Sequence, residues 1–515
     1  MIERIYWDRM YVCFDIEGGG DVAFALADKN GRIAALPSYG GARFNVTNRG
    51  DGRFIGDGSY CLVRCGAGAH IGELAGGERE ACAGGSLADI YALSRAFTCK
   101  GGTYTVAARV KEDETELIPT FRFRAFREKE GSAGKRAALA MEKAGIRCFF
   151  ALARLFSRHD GKHVLFASES KDVLKDNLLA IRDAMRARGM DGDYKMMYDF
   201  HVAKAMSGAG KLRLLGFLGR VAKADYIFLD DYSPVLNYVR IPKRTKVIQA
   251  WHAGLGFKAV GLSRLGLEHS PSFEYNIHRR YDYVVCASRY TARVYAENFG
   301  VTDDKLLPVG LPRLDRFLDP GHRRRATERF YEEHPQCLGK KLILFAPTFR
   351  GSYNGDGSYD FSVFDFQKLY DMCERHNAVF AIKLHPFDRA GAAFDDELAD
   401  RVIVLDNAAP MNDLLYPAEL LITDYSSNIF EFSLLEKPML FFAPDRDLYA
   451  ATRGFHRNYE ENAPGKVVYD FDSMIAAIDS GDFEEEKAAL FRKEHFDIID
   501  TGASDRVIDA VFGAV

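Results

Sequence analysis

Two successive series of short apolar runs, each run leading into a helical pattern, constrain this chain more than any other feature. In the first series, Val164-Leu165-Phe166-Ala167-Ser168 precedes a helical run over 173–188. Tyr226-Ile227-Phe228-Leu229, Val247-Ile248-Gln249-Ala250-Trp251 and Tyr283-Val284-Val285-Cys286-Ala287 continue it. The second series holds Leu342-Ile343-Leu344-Phe345-Ala346, Val379-Phe380-Ala381-Ile382-Lys383-Leu384, Val402-Ile403-Val404-Leu405, Leu420-Leu421-Ile422-Thr423 and Met439-Leu440-Phe441-Phe442. Strands that are apolar at nearly every position are covered on both faces, as in parallel sheets flanked by helices. Two doubly wound α/β units imply a cleft between them, with ligands held at the carboxyl ends of the strands. The join falls in the polar stretch 319–340, where His322-Arg323-Arg324-Arg325 reads as a solvated helix start.

These units leave part of the 515 residues unexplained, and the length itself predicts about three domains. Residues 1–126 differ in texture, with short β-forming runs between glycines: Tyr11-Val12-Cys13-Phe14, Arg53-Phe54-Ile55, Tyr60-Cys61-Leu62-Val63 and Thr103-Tyr104-Thr105-Val106. The expected division is a small glycine-rich β domain over 1–126, a basic linker and helix over 127–160, and α/β domains over 161–318 and 319–515. The segment 135–158 carries Lys135, Arg136, Lys143, Arg147, Arg154 and Arg158 among apolar residues. It reads either as a helix with a solvated basic face or as one that rests on an anionic membrane surface.

The net charge of −4 gives no field that would attract nucleic acid, so any anion site is local. No run approaches the ~20 apolar residues of a membrane span, and Met1-Ile2-Glu3-Arg4 lacks the layout of a signal peptide. Nine cysteines without paired C-x-x-C spacing read as reduced thiols of a cytosolic protein rather than zinc ligands. Ser207-Gly208-Ala209-Gly210-Lys211 imitates a phosphate-binding loop, but Ala205 and Leu212 stand where that loop needs glycine and a hydroxyl residue. No G-x-G-x-x-G, G-x-S-x-G or H-E-x-x-H pattern occurs, and Asp230-Asp231 lacks the spacing of a metal motif.

Four strand ends carry chemistry. His252 follows a buried run in Gln249-Ala250-Trp251-His252-Ala253-Gly254, and His385 follows another in Lys383-Leu384-His385-Pro386. Either histidine alone is ordinarily structural, whereas two at strand ends facing one cleft suggest a site. Thr423-Asp424-Tyr425-Ser426-Ser427 runs into a helix expected from Asn428, whose free amides can hold a phosphate or simply take a serine cap. Ala346-Pro347-Thr348-Phe349-Arg350 offers Thr348 and Arg350 to an anion, or Arg350 to a carboxylate across the cleft.

In this order, QAWHAGLGFKAVG (249–261), GLPRLD (310–315), APTFR (346–350), KLHP (383–386), TDYSS (423–427), Glu436-Lys437-Pro438, the 447–455 stretch with Tyr449, Arg453 and Gly454, and Pro464-Gly465 resemble the CDP-glycerol:poly(glycerophosphate) glycerophosphotransferase family of teichoic acid primases and polymerases. The resemblance covers about residues 160–500 and leaves the N-terminal part without an assignable motif. It implies a GT-B-like pair of Rossmann-type domains, with the acceptor on the first and the CDP donor on the second. It also implies transfer of a polyol phosphate, glycerol phosphate foremost, from CDP-glycerol or CDP-ribitol to a hydroxyl of a lipid-linked teichoic-acid-like or capsular polymer, releasing CMP. The resemblance implies no cofactor, since the CDP-polyol is a substrate, assigns no metal ligands while leaving a divalent metal requirement open, and places the work at the inner face of the plasma membrane.

By the same likeness, His252 is the general base, and His385 holds or protonates the pyrophosphate. Thr348, Arg350, Lys383, Thr423, Asp424, Ser426, Ser427 and Arg453 line the donor site, with Lys258 toward the acceptor's phosphates or merely on the surface. A GT-B glycosyltransferase using a nucleotide sugar shares the same two-domain cleft and is the alternative.

Overall fold

The computed structural model describes the chain except residues 1, 18–21, 39–40, 76–89, 100–101, 114–115, 128–131, 158, 201–209, 268–276, 351–357, 386–387, 389–391, 393 and 514–515. Pro386, Arg158 and Ser207 to Ala209 of the sequence reading thus lie outside the described residues, as do the side chains of Lys135 and Arg136.

The N-terminal domain is all β, as its glycine-punctuated runs suggest. A three-stranded antiparallel sheet (Ile2–Asp8, Tyr11–Ile16, Ala42–Asn45) packs on a six-stranded one. The latter runs Ile33–Ala35, Ala23–Asp28, Gly58–Cys65, Glu116–Arg127, Gly102–Asp113 and Arg95–Cys99 from edge to edge. Phe14, Phe44, Tyr104, Phe121 and Phe123 fill the space between the sheets. Arg53-Phe54-Ile55 is not a strand, contrary to expectation. Gly50 and Gly52 take positive φ there (116° and 75°), and the Ile55 amide turns back to the Val46 carbonyl.

The helix Ala133–Leu155 follows. It buries Ile146 and Phe150 against Leu214 and Phe217 of the helix Gly210–Lys223. Its basic side chains turn partly inward: Arg147 Nε donates to the Tyr238 carbonyl at 3.2 Å and Arg154 Nη1 to the Arg240 carbonyl at 3.5 Å. Beside the exposed Glu142 and Arg147 it leaves large apolar side chains to solvent: Leu139, Met141, Leu152 and Leu155, with Phe156 just beyond, 84% exposed. Among the described residues no helix is long and apolar enough to cross a membrane.

Both α/β units are six-stranded parallel sheets. The first is ordered Lys195–Phe200, His163–Ser168, Tyr226–Leu229, Lys246–Gln249, Tyr283–Cys286, Leu306–Pro308. The second is ordered Val402–Val404, Ala378–Ile382, Lys341–Phe345, Leu420–Thr423, Met439–Phe442, Lys466–Val468. In each sheet the chain grows first toward one edge and then toward the other, which opens a crevice at the carboxyl ends beside the first strand. In the second unit that crevice lies between Phe345 and Thr423, where APTFR and TDYSS begin. The last helix, Ala503–Phe512, crosses back to the first unit: Phe512 packs on Tyr226, and Arg188 pairs with Asp505 at 2.7 Å and Asp509 at 2.6 Å.

One carboxylate joins all three parts. Glu297, on the first unit, meets Arg9 of the β domain at 3.0 Å and His456 of the second unit at 3.2 Å. Burial opposes its charge, but His456 and Arg9 outweigh it and hold the Glu297 carboxyl down at about 2.

Candidate functional site

The site starts from a kink. After the strand Lys246–Gln249, Trp251 adopts φ 45°, a left-handed conformation costly for a bulky residue. The surroundings hold it there: Asn177 Nδ2 donates to the Ala250 and Trp251 carbonyls at 2.9 and 2.5 Å, and Gln249 Oε1 accepts from the Trp251 amide at 2.8 Å. Asn177 and Gln249 are fully buried, so their bonds are not exchanged with water. The Trp251 ring packs on Phe299 and stacks on the His252 ring at 4.7 Å. The kink turns His252 toward the neighbouring strand end, where its Nδ1–H donates to the Asp230 carbonyl at 2.9 Å. A carbonyl can only accept, so Nδ1 carries the proton and the Nε2 lone pair is left for a substrate.

The loop carrying His252 then runs against the second unit. An added Cβ at Gly254 would lie 2.3 Å from Phe430, so only glycine permits this approach to the helix Asn428–Ser433. The His456 amide donates to the Phe257 carbonyl, the Ala259 amide to the Gly454 carbonyl, and Lys258 pairs with Phe455 as an isolated bridge. Arg264 Nη1 adds a bond to the Arg453 carbonyl at 2.7 Å. Below the loop, Arg313 pairs with Glu431 at 2.6 Å, both side chains over nine-tenths buried, while the Arg313 amide donates to Asn177 Oδ1. GLPRLD is therefore a clamp: it ties the His252 kink to the helix that follows TDYSS.

Lys258 enters the second unit's crevice. Burial pushes its ammonium down to about 8, with Arg350 and Arg453 adding repulsion and Asp424 alone supporting the charge. Partial burial, Lys258 and Lys383 lower the pKa of His385, so in the free protein it favours the neutral imidazole. Phe349 lies 5.4 Å from its ring. The loop that begins at His252 thus brings Lys258 to the place where His385 and Arg453 stand.

Four residues named for the donor site are bonded within the protein, Arg350 in the second of the two ways open to it, a carboxylate pair. Arg350 is held by Asp424 at 2.7 Å and Asp445 at 2.5 Å and donates to the Thr348 carbonyl. Tyr359, Tyr425 and Tyr449 surround its guanidinium. Burial opposes its charge, but Asp424 and Asp445 outweigh it and raise the Arg350 pKa further. Asp424 is fully buried and also accepts from the Thr348 and Tyr425 amides. Thr423 Oγ1 donates to the Ala346 carbonyl at 2.7 Å, and Lys383 Nζ to the Leu384 and Asn407 carbonyls at 3.0 and 2.9 Å. These four make the floor of the crevice: each spends its polar atoms tying one strand end to another. The Thr348 hydroxyl is buried and makes no hydrogen bond among the described residues.

Ser426 and Ser427 remain half-buried at the rim. Ser426 Oγ accepts from the Asn428 amide at 3.3 Å, and Ser427 caps the helix without a side-chain bond. That helix has six residues, so its dipole offers less than the expectation of a phosphate-holding helix start assumed. Asn177, Glu431 and Asp445 were missing from the sequence reading, because nothing local marks a residue whose partner lies 74 to 118 positions away.

Among the described residues, Asp160, His163 and Asp225 could hold a metal ion together. They sit at the amino ends of the first unit's strands, the opposite end of the sheet from His252.

Residues 149–513 match the family described as CDP-Glycerol:Poly(glycerophosphate) glycerophosphotransferase. The chain is 34% identical over 430 residues to teichoic acid ribitol-phosphate polymerase TarK of Staphylococcus aureus (strain NCTC 8325 / PS 47), covering 80% of this chain and 83% of that one. It is 36% identical over 371 residues to ribitol-phosphate polymerase TarL of the same strain, covering 72% of this chain and 66% of that one. The structure of the wall teichoic acid polymerase TagF shares the fold, with a TM-score of 0.57 and 19% identity over 74% of this chain and 98% of that one. A GT-B-like pair of α/β units and a match over most of the chain agree: this protein belongs to the CDP-glycerol:poly(glycerophosphate) glycerophosphotransferase family.

Proposed function

We propose that the chain transfers a polyol phosphate from a CDP-linked polyol to a hydroxyl of a teichoic-acid-like acceptor. The observation that carries this reading is the loop 250–261, which holds a histidine by its Nδ1 at the first unit's strand ends and carries a lysine of lowered pKa into the second unit's switch-point crevice. The acceptor oxygen bonds to the donor's β-phosphorus as the bond from that phosphorus to the CMP oxygen breaks. His252 Nε2 takes the hydroxyl proton, and His385 donates a hydrogen bond to the pyrophosphate on which charge develops. Lys258, Arg453 and the Ser426–Ser427 rim meet the phosphates.

Of the two polyols, ribitol phosphate is the donor to test first, since TarK and TarL are both named for it. Glycerol phosphate, the expectation from sequence, is the second. The decisive assay incubates the protein with CDP-ribitol, CDP-glycerol and UDP-sugars, each with a teichoic-type acceptor, and follows nucleotide release. CMP released with a CDP-polyol is the expected outcome. Release from UDP-sugars alone would favour the nucleotide-sugar glycosyltransferase and end this proposal.

A pH dependence follows from Lys258. An ammonium of pKa about 8 loses its charge as pH rises through that value, and with it the attraction for a phosphate. KM for the phosphate-bearing substrate is expected to rise between about pH 7.5 and 9, and Lys258→Arg, which stays charged, should flatten that rise. An identical pH profile in both proteins would remove Lys258 from phosphate binding.

The lipid-linked acceptor places the enzyme on the inner face of the plasma membrane, docked through the helix Ala133–Leu155. The contact is assigned to its apolar outer side rather than to Arg147 and Arg154, whose guanidinium groups bond carbonyls of the first unit. With about 1.5–3 kcal/mol for each large side chain fully buried, replacing Leu152, Leu155 and Phe156 by serine should weaken binding to anionic vesicles more than tenfold. Unchanged co-sedimentation with those vesicles would exclude this helix as the anchor.

A further inference from the structure

The β domain is the part of the chain that the proposed chemistry does not use, and its six-stranded sheet has two unlike faces. The inner face buries Tyr104, Val106, Phe121 and Phe123. The outer face, among the described residues, exposes Arg109, Arg122 and Arg124, with Thr103, Thr105 and Thr120 between them. Alternation along the strands forces this arrangement, since residues two apart point the same way.

The spacing of the three arginines is regular. Arg122 and Arg124 stand two residues apart on one strand, about 7 Å. Ala107 pairs with Arg122 and Arg109 with Thr120, so Arg109 is the diagonal neighbour of Arg122, again about 7–8 Å away. The three arginine positions therefore form a stair of even steps across two strands. Arg124 lies over the Phe126 ring at 4.6 Å, and the Thr105 and Thr120 hydroxyls donate to the Arg124 and Arg109 carbonyls.

Acidic residues stand apart from them. No residue of 102–110 or 118–126 is acidic, Glu112, Asp113 and Glu116 lie at the hairpin end of the two strands, and Asp57, at the edge, accepts from the Ala125 amide. Elsewhere in this domain Arg9, Arg43 and Arg49 are paired with Glu297, Asp8 and Asp51. Arg109, Arg122 and Arg124 have no ion pair among the described residues.

We propose that this outer sheet face binds the phosphodiester backbone of the acceptor polymer. The inference rests on the function proposed above. Evenly stepped arginines suit an anion that repeats at a comparable interval, and the hydroxyls suit the polyol between phosphates. Nucleic acid fits less well: Phe126 is the only aromatic side chain on the outward positions of these two strands, and single strands are held largely by stacking. Retention of the polymer by this domain keeps its free end near the catalytic crevice, which raises the local concentration of acceptor without touching the chemistry.

The test uses the full-length protein and its triple variant Arg109→Gln, Arg122→Gln, Arg124→Gln. Titration with purified poly(ribitol phosphate) or poly(glycerol phosphate) should show at least a tenfold loss of affinity in the variant, with a shallower dependence on salt. CMP release with a single-unit acceptor should be unchanged while the products from longer acceptors become shorter, and the triple Arg→Lys variant should recover part of the binding. Equal polymer affinity and equal product length in the glutamine variant would overturn the proposal. So would wild-type protein that binds single-stranded DNA as tightly as the polyol phosphate polymer. No CMP release from wild type with either CDP-polyol would instead sink the proposed function, and the binding titration still decides this face separately.

Discussion

His252→Ala is expected to reduce turnover by about 10²–10⁴-fold, the range a positioned general acid–base contributes, while binding of the CDP donor survives. The separation follows from geometry. His252 belongs to the first unit and bonds the Asp230 carbonyl, whereas the crevice of the second unit is built on Arg350, Asp424 and Asp445. Removing the imidazole takes away the proton acceptor and leaves that floor intact. His252→Asn is the sharper control, because it keeps a polar side chain of similar reach without a base. Single-turnover kinetics and donor titration measured together check the expectation; unchanged kcat in either variant would rule out His252 as the base.

Arg350→Met should act on stability first. The substitution leaves Asp424, fully buried, and Asp445 facing each other without their shared cation, and breaking a buried ion pair from one side costs about 3–5 kcal/mol. Thermal unfolding is expected to show an earlier transition for the second α/β unit, accompanied by loss of donor binding. The conservative partner Arg350→Lys cannot bridge both carboxylates as the planar guanidinium does, so it should fall between the two. If Arg350 served mainly to bind substrate, the methionine variant would keep its melting temperature and lose only affinity. Calorimetry on both variants separates the two roles.

Much of the site was readable before the fold because its markers are local. His252, His385, Thr348 and the two serines follow apolar runs, and a parallel strand delivers whatever comes after it to the carboxyl edge of its sheet. Lys258 comes from the family likeness, which left a surface position open, and its lowered pKa depends on burial between the two units. Arg350 was legible as a charge at a strand end, and the two destinations open to it, an anion or a carboxylate, could be separated only by locating Asp445. Lys383 and Thr423 have the residue types of ligands, yet they bond backbone carbonyls. Whether a hydroxyl or ammonium turns outward is set by the neighbours of its strand, which local sequence does not contain.

The amino-acid sequence by itself determined the α/β units, the β domain ahead of them and which polar residues stand at the strand ends of the candidate site. Those follow from periodicity and from where polar residues interrupt apolar runs, both short-range properties of a chain. The tertiary structure decided which of those residues meet. The left-handed turn at Trp251, the Asn177 clamp, the Gly254–Phe430 approach and the Arg9–Glu297–His456 junction each join positions far apart in the chain. Such contacts form only when closure of the whole chain repays the entropy of bringing distant residues together, so no segment read alone could announce them.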